Sequence, residues 1–165
     1  MDYLLRGSNN KILFPKIVVT KNDNYLSRLI LVEYAGCESE LSSVSDYLYQ
    51  SILFKESYPK ISKAFEQIAE EEASHFKALG KIITSLGDYP TVNINARNKI
   101  KYENRKNIPY KKIISDNILK ENETIDNYKK IIKYTDNESI LKTINIIISA
   151  ERRHAKINEL AYKDI

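Results

Sequence analysis

The sequence predicts an all-α protein, a four-helix bundle of two antiparallel helix hairpins joined by a long crossover. Three observations carry that expectation. Chain breakers are scarce, with Gly 4 and Pro 4 in 165 residues, while Ile, Leu, Lys and Glu abound. Apolar residues recur at the period of a one-sided helix in four separate stretches. Those stretches also form two similar halves. Glu40 is followed seven residues later by Tyr47, and Glu121 by Tyr128; Glu72 is followed three residues later by His75, and Glu151 by His154.

Residues 1–22 read as an irregular N-terminal segment and residues 23–165 as one bundle domain. Asn22 or Asp23 caps a first helix running through Leu29, Val32, Glu33, Gly36, Glu40, Tyr47 and Ile52. Ser57 caps a second, with Pro59 tolerated in its first turn, running through Ile61, Phe65, Ile68, Glu72, His75 and Leu79 to Gly87. From Asp88 to about Lys112 the periodicity fades and Pro90 and Pro109 break helices, which makes one long connection. A third helix carries Ile114, Ile118, Glu121, Ile125, Tyr128 and Ile132, and stops before Thr135-Asp136-Asn137-Glu138, a capping-box pattern. The fourth carries Ile140, Ile144, Ile147, Glu151, His154 and Ile157. Measured from Ser57 and Thr135, the two glutamates of each hairpin differ in height by about two residues, or roughly 3 Å, which a glutamate side chain absorbs.

The composition of 42% hydrophobic and 29% charged residues suits one domain with a continuous core. A net charge of +4, with no basic stripe interleaved with aromatics, argues against nucleic acid as a partner. No uncharged run of about 20 residues exists to cross a membrane, and Pro15 and Lys16 interrupt the only candidate signal-peptide core. Cys37 is the sole cysteine, so an internal disulfide and a four-cysteine iron or zinc site are excluded, and a cytoplasmic location is expected. Cys37 itself reads as a small buried hydrophobe. The apolar stretch from Ile12 to Val19 is expected to pack across a partner in a homodimer. The basic run Arg97, Lys99, Lys101, Arg105, Lys106, Lys111 and Lys112 reads as a solvated connection, with docking of an acidic electron carrier as its sharper reading.

Positions i and i+3 share a helix face, so Glu72 with His75, and Glu151 with His154, each make half of a metal site. One such pair arises often by chance on a solvated face. Two that use both histidines of the chain, each preceded by Glu-x6-Tyr, do not. Glu40, Glu72, Glu121 and Glu151 carry four negative charges, which two divalent cations neutralise, making burial tolerable. Four carboxylates and two imidazoles favour iron or manganese, with zinc as a substitute. Tyr47 and Tyr128 stand too far along the axis to reach their own helix's glutamate, but each can reach the other's if the first and third helices run antiparallel. Glu71 is an alternative partner for His75; Ala150 at the matching place in the second half favours Glu72. Glu33 is expected to be exposed or salt-bridged rather than part of the site.

Over residues 23 to 162 this order of motifs resembles the ferritin-like di-iron carboxylate superfamily, and within it the rubrerythrin branch. The resemblance implies a ferritin-like bundle with two iron ions. Glu40 and His75 would be terminal ligands of one, Glu121 and His154 of the other, and Glu72 and Glu151 would bridge. It implies a di-iron oxidoreductase that reduces hydrogen peroxide or dioxygen; relatives instead store iron through ferroxidase activity or disproportionate peroxide with manganese. Two departures stand out. Rubrerythrins carry a further glutamate three residues after the third-helix ligand, where this chain has Thr124, so their ligand-switching step is not carried over. Their frequent C-terminal cysteine-bound iron module is also missing before Ile165, so electrons are expected from an external donor such as a rubredoxin-like protein.

Overall fold

The computed structural model describes residues 13–92 and 108–165. The helices are α1 (Asn24–Ala35), α2 (Glu40–Phe54), α3 (Pro59–Ser85), α4 (Tyr110–Ile131) and α5 (Glu138–Asp164), with a single 3₁₀ turn at Ile132–Tyr134 after α4. There is no strand among the described residues. The hairpins are α2 with α3 and α4 with α5; α1 leads into α2 and packs mainly on α3.

The first predicted helix is in fact two. Gly36 donates one last helical bond to Val32 O at 2.9 Å and then turns to extended backbone. A Cβ at residue 36 would lie 2.5 Å from that same carbonyl, so glycine permits the exit. Ser39 restarts the helix. Its Oγ accepts from Ser42 N–H at 3.4 Å, and Ser42 Oγ accepts from Ser39 N–H at 2.8 Å, a reciprocal cap that makes Glu40 the first residue of α2. Val32 and Ile52, expected on the apolar face, are exposed; α1 instead buries Leu26, Ile30 and Tyr34, a clean four-residue spacing. Cys37 lies in the break and is exposed, not buried, because the chain there no longer follows a helix facing the core.

Other ends differ in detail. Asp23, not Asn22, caps α1, its Oδ1 accepting from Leu26 N–H at 2.9 Å. Ser57 caps nothing: α3 opens at Pro59, after Tyr58 and without a side-chain cap. It closes in a Schellman turn at Gly87, φ 86°, with Asp88 N–H donating to Ile83 O and Gly87 N–H to Thr84 O. The α5 cap is Asn137, whose Oδ1 accepts from Ser139 and Ile140 N–H at 3.1 Å each, so the Thr135 to Glu138 box is replaced by a one-residue cap inside it.

Residues 13–22 form no regular element but lie against the same chain. Phe14, Ile17 and Val19 pack on the core, Asn137 Nδ2 donates to Val18 O at 2.8 Å, and Val18 N–H donates to Ser139 Oγ at 3.0 Å. Phe14, Ile17 and Val19 are thus covered by their own bundle, while Leu13 and Val18 stay exposed. Of the basic run, Lys111 and Lys112 lie exposed on α4, while Arg97, Lys99, Lys101, Arg105 and Lys106 lie outside the described residues.

Two apolar clusters fill the bundle from opposite ends. One joins Leu26, Ile30, Leu79, Ile82, Ile125, Tyr128, Ile144 and Ile147; the other joins Phe54, Ile61, Phe65, Ile68, Ile114 and Ala161. The layer between them is polar. Along the described helices no stretch is long and apolar enough to cross a membrane.

Candidate metal centre

Every helix of the two hairpins turns acidic or imidazole side chains into that middle layer. Glu40 comes from the start of α2, Glu72 and His75 from mid-α3, Glu121 from mid-α4, and Glu151 and His154 from mid-α5. All six are at most 3% exposed. Their ligand atoms fall into two overlapping sets, Glu40, Glu72, His75 and Glu151, and Glu72, Glu121, Glu151 and His154, the atoms of each lying within 4.8 Å of one another. Glu72 and Glu151 belong to both.

The short distances decide what such a cluster is suited to. His75 Nδ1 lies 2.9 Å from Glu151 Oε1, 3.1 Å from Glu72 Oε2 and 3.4 Å from Glu40 Oε2. His154 Nδ1 lies 3.2 Å from both Glu72 Oε1 and Glu151 Oε2. One ring nitrogen carries at most one proton and cannot serve three acceptors. Glu72 Oε1 and Glu151 Oε1 remain buried without a hydrogen bond. Ligands held at about 2.1 Å from one ion and at right angles to each other sit roughly 3 Å apart, so the observed crowding fits a metal ion facing each imidazole better than it fits hydrogen bonding.

Carboxyl and imidazole groups packed this closely shift one another's affinity for protons. Burial, then the charge of Glu72, pushes the Glu40 carboxyl well above its ordinary value, overriding the favourable helix N-terminus where Glu40 sits. Burial and the charge of Glu151 do the same to Glu121. Burial also acts to raise Glu72, but the charge and hydrogen bond of His154, with the bond from His75, outweigh it and hold Glu72 well below. For Glu151, burial and repulsion from Glu72 are outweighed by both imidazoles, leaving it lowered. Burial acts to lower the histidines, yet Glu40 and Glu151 around His75, and Glu151 and Glu72 around His154, hold both well above the usual imidazole value.

The tyrosines cross between helices. Tyr47 on α2 donates its hydroxyl to Glu121 Oε1 on α4, and Tyr128 on α4 donates to Glu40 Oε1 on α2. Residues 40 and 47 thus meet 128 and 121 in reverse order, which makes α2 and α4 antiparallel. With each hairpin antiparallel, α3 and α4 then point the same way, so the start of α4 lies at the opposite end of the bundle from the end of α3. Burial leads in pushing both hydroxyls well above the ordinary tyrosine value, with the charge of Glu121 or Glu40 adding to it.

Several neighbours of the site escaped sequence reasoning. Glu71 does not pair with His75; its Oε2 lies 2.9 Å from His154 Nε2 and also receives Arg153. Burial acts to raise this carboxyl, but the His154 bond and charge, then Arg153, bring it below its ordinary value. Asn158 Nδ2 donates to Tyr47 Oη at 2.8 Å, and Asn117 links Asn158 to Gln50. Spacing held that signal, since Asn158 lies four residues after His154 and Asn117 four before Glu121. Phe14 stands perpendicular to the His75 ring at 6.2 Å between centroids, a contact no spacing announces. Glu33, expected to be exposed or salt-bridged, is 6% exposed. Burial pushes its carboxyl up to about 7 against the pull of Lys130 and Asn127. Thr124 is half-buried and Glu123 exposed.

No curated protein matches the chain. The fold is similar to that of KatB, a manganese catalase from Anabaena, in its wild-type crystal structure, with a TM-score of 0.73 and 20% sequence identity over 94% of this chain and 78% of that one. A second crystal structure of KatB, from Anabaena PCC7120, gives a TM-score of 0.71 and 19% identity over 93% of this chain and 80% of that one. The family model described as Rubrerythrin matches residues 30–162, a span that takes in both ligand sets and both crossing tyrosines, and the chain belongs to the rubrerythrin family.

Proposed function

We propose that this protein is a di-iron oxidoreductase of rubrerythrin type that reduces hydrogen peroxide or dioxygen with electrons from an external donor, such as a rubredoxin-like protein. The observation that carries the reading is the pair of overlapping, fully buried ligand sets. Glu40 and His75 would hold one ion, Glu121 and His154 the other, and Glu72 and Glu151 would be shared. A metal pair bound there would supply the redox chemistry, passing two electrons from the donor to one peroxide, which with two protons gives two waters. The chain's own part is to hold that chemistry in place. The apolar layers above and below exclude water, which strengthens every charge interaction within. Tyr128 and Tyr47 fix Glu40 and Glu121 through bonds from the opposite helix.

A second reading, peroxide disproportionation with manganese, is supported by the likeness in fold to manganese catalases. That reaction turns two peroxides into two waters and one dioxygen and needs no donor. The test is anaerobic loading of the metal-free protein with ferrous or, separately, manganous ions, elemental analysis, and stopped-flow mixing with peroxide and with oxygen. Ferrous protein oxidised much faster by peroxide than by oxygen supports the first reading. Donor-free oxygen evolution by the manganese form supports the second. Preference for oxygen with accumulating ferric mineral points to iron storage, and two washed preparations that retain no metal overturn all three.

A further inference from the structure

The two halves of the centre repeat in sequence but not in surroundings. His154 turns Nδ1 to the cluster and Nε2 to Glu71 at 2.9 Å, and Glu71 is itself held by Arg153 at 2.5 Å. A carboxylate only accepts, so Nε2 carries a proton, and Nδ1, once it gives up its own proton, is the nitrogen left to offer a lone pair to a metal. His75 lacks this arrangement. Its Nε2 is buried without a partner, and the ring beside it is Phe14. The reason is visible in the repeat: Glu71 precedes Glu72, whereas the residue preceding Glu151 is Ala150, and an alanine offers nothing to the imidazole across the bundle.

Two further observations point the same way. Glu121 sits in the interior of the 22-residue α4, while Glu40 is the first residue of α2, directly after the Gly36 to Ser39 break, where helical backbone bonding is only beginning. Tyr47, which holds Glu121, is itself held by Asn158, Asn117 and Gln50 in a buried amide chain with separations of 2.7 to 3.0 Å. Preorganised donors lose less freedom on binding and hold an ion more tightly.

We propose that Glu71 is a positioning residue for His154, and that the metal position built on Glu121 and His154 is the tighter of two unequal positions, the one built on Glu40 and His75 being the weaker and more exchangeable. This rests on the two-metal reading above. A carboxylate behind a metal-bound histidine fixes its tautomer and ring plane and raises its basicity, and losing such a partner weakens metal binding by about 10- to 100-fold.

The experiment is a calorimetric titration of the metal-free full chain with manganous ion, repeated under identical buffer for Glu71→Gln, Glu71→Ala, Arg153→Gln, His75→Ala and His154→Ala, with helicity checked by circular dichroism. The wild type should bind two ions in two resolved steps. Glu71→Gln should weaken the tighter step by about 10-fold and spare the other, and Glu71→Ala should weaken it by up to about 100-fold. Arg153→Gln, which leaves the Glu71 to His154 bond in place, should change the tighter step least. His75→Ala should retain the tighter step and His154→Ala should abolish it. Should Glu71→Ala fail to fold, Glu71→Gln decides the question alone. Two ions bound with equal affinity, equal weakening of both steps by Glu71→Gln, or the reverse outcome for the two histidine variants overturns this inference and leaves the two-metal reading standing. A wild type that binds no ion overturns both.

Discussion

At Glu33, burial outweighs every neighbour that favours charge, and the carboxyl titrates near 7. A raised acid contributes stability that is fully present below its unfolded value of 4.5 and is lost as pH rises through about 7. Glu33→Gln should therefore flatten this part of the profile, so that the variant gains on the wild type between pH 4.5 and 8; urea unfolding of both proteins across that range measures the difference, and parallel curves would refute it. Tyr128 poses a different problem. Its hydroxyl is fully buried and donates to Glu40, so Tyr128→Phe leaves a buried carboxyl oxygen without its donor and should cost about 1–3 kcal/mol in chemical denaturation of the metal-free protein. Both tyrosines could be picked from the sequence because seven residues of helix set their height. Glu33 could not be placed, since no local pattern tells whether a glutamate two turns from the site is covered.

The decisive element is the α1/α2 break. Without it Glu40 would sit in mid-helix; with it Glu40 opens α2, its position set by the cap on Ser39. Ser39→Ala removes one side of the reciprocal cap and should cost about 0.5–2 kcal/mol in thermal or urea unfolding. Retention of wild-type stability would show that the cap does not hold α2. The signal was in the sequence, as a glycine followed by Ser39 and Ser42 at capping spacing. It was outweighed by the helical periodicity on either side, which continues in phase across four non-helical residues. The same limit applies at Asn137, where two candidate caps lie two residues apart and only the folded backbone selects between them.

For the molecule as a whole, charge balance links metal, protons and stability. With the raised groups protonated and the lowered ones ionised, the metal-free centre would carry two imidazolium ions, two carboxylates and two carboxylic acids; loaded, it would hold four carboxylates, two neutral imidazoles and two divalent ions. Both such states are neutral, so loading would expel the imidazolium and carboxyl protons. The signs follow. The raised histidines contribute stability that is complete below their unfolded value of 6.5 and is lost as pH rises toward their folded values. The lowered Glu72 and Glu151 contribute above 4.5 and lose it as pH falls through their folded values. Raised Glu40 and Glu121 contribute most below 4.5 and lose it as pH rises. The metal-free protein should thus have a Tm that falls from pH 6.5 to 9, while the increase in Tm on adding manganous ion grows over the same range. Scanning calorimetry with and without metal measures both trends, and a metal-induced increase that does not depend on pH would contradict the exchange.

Helical period and the order of the acidic, imidazole and tyrosine positions were enough to define the helical-bundle class and the six residues that meet, because within a helix the height and angle of a side chain follow from its number alone. Folding decided what number does not encode: the restart of the chain at Ser39, the irregular N-terminal segment that lays Phe14 on His75, the capture of His154 by Glu71 from another helix, and the burial of Glu33. Each of these depends on a contact between segments far apart in the chain, and such contacts are set by how whole helices pack, not by the pattern along any one of them.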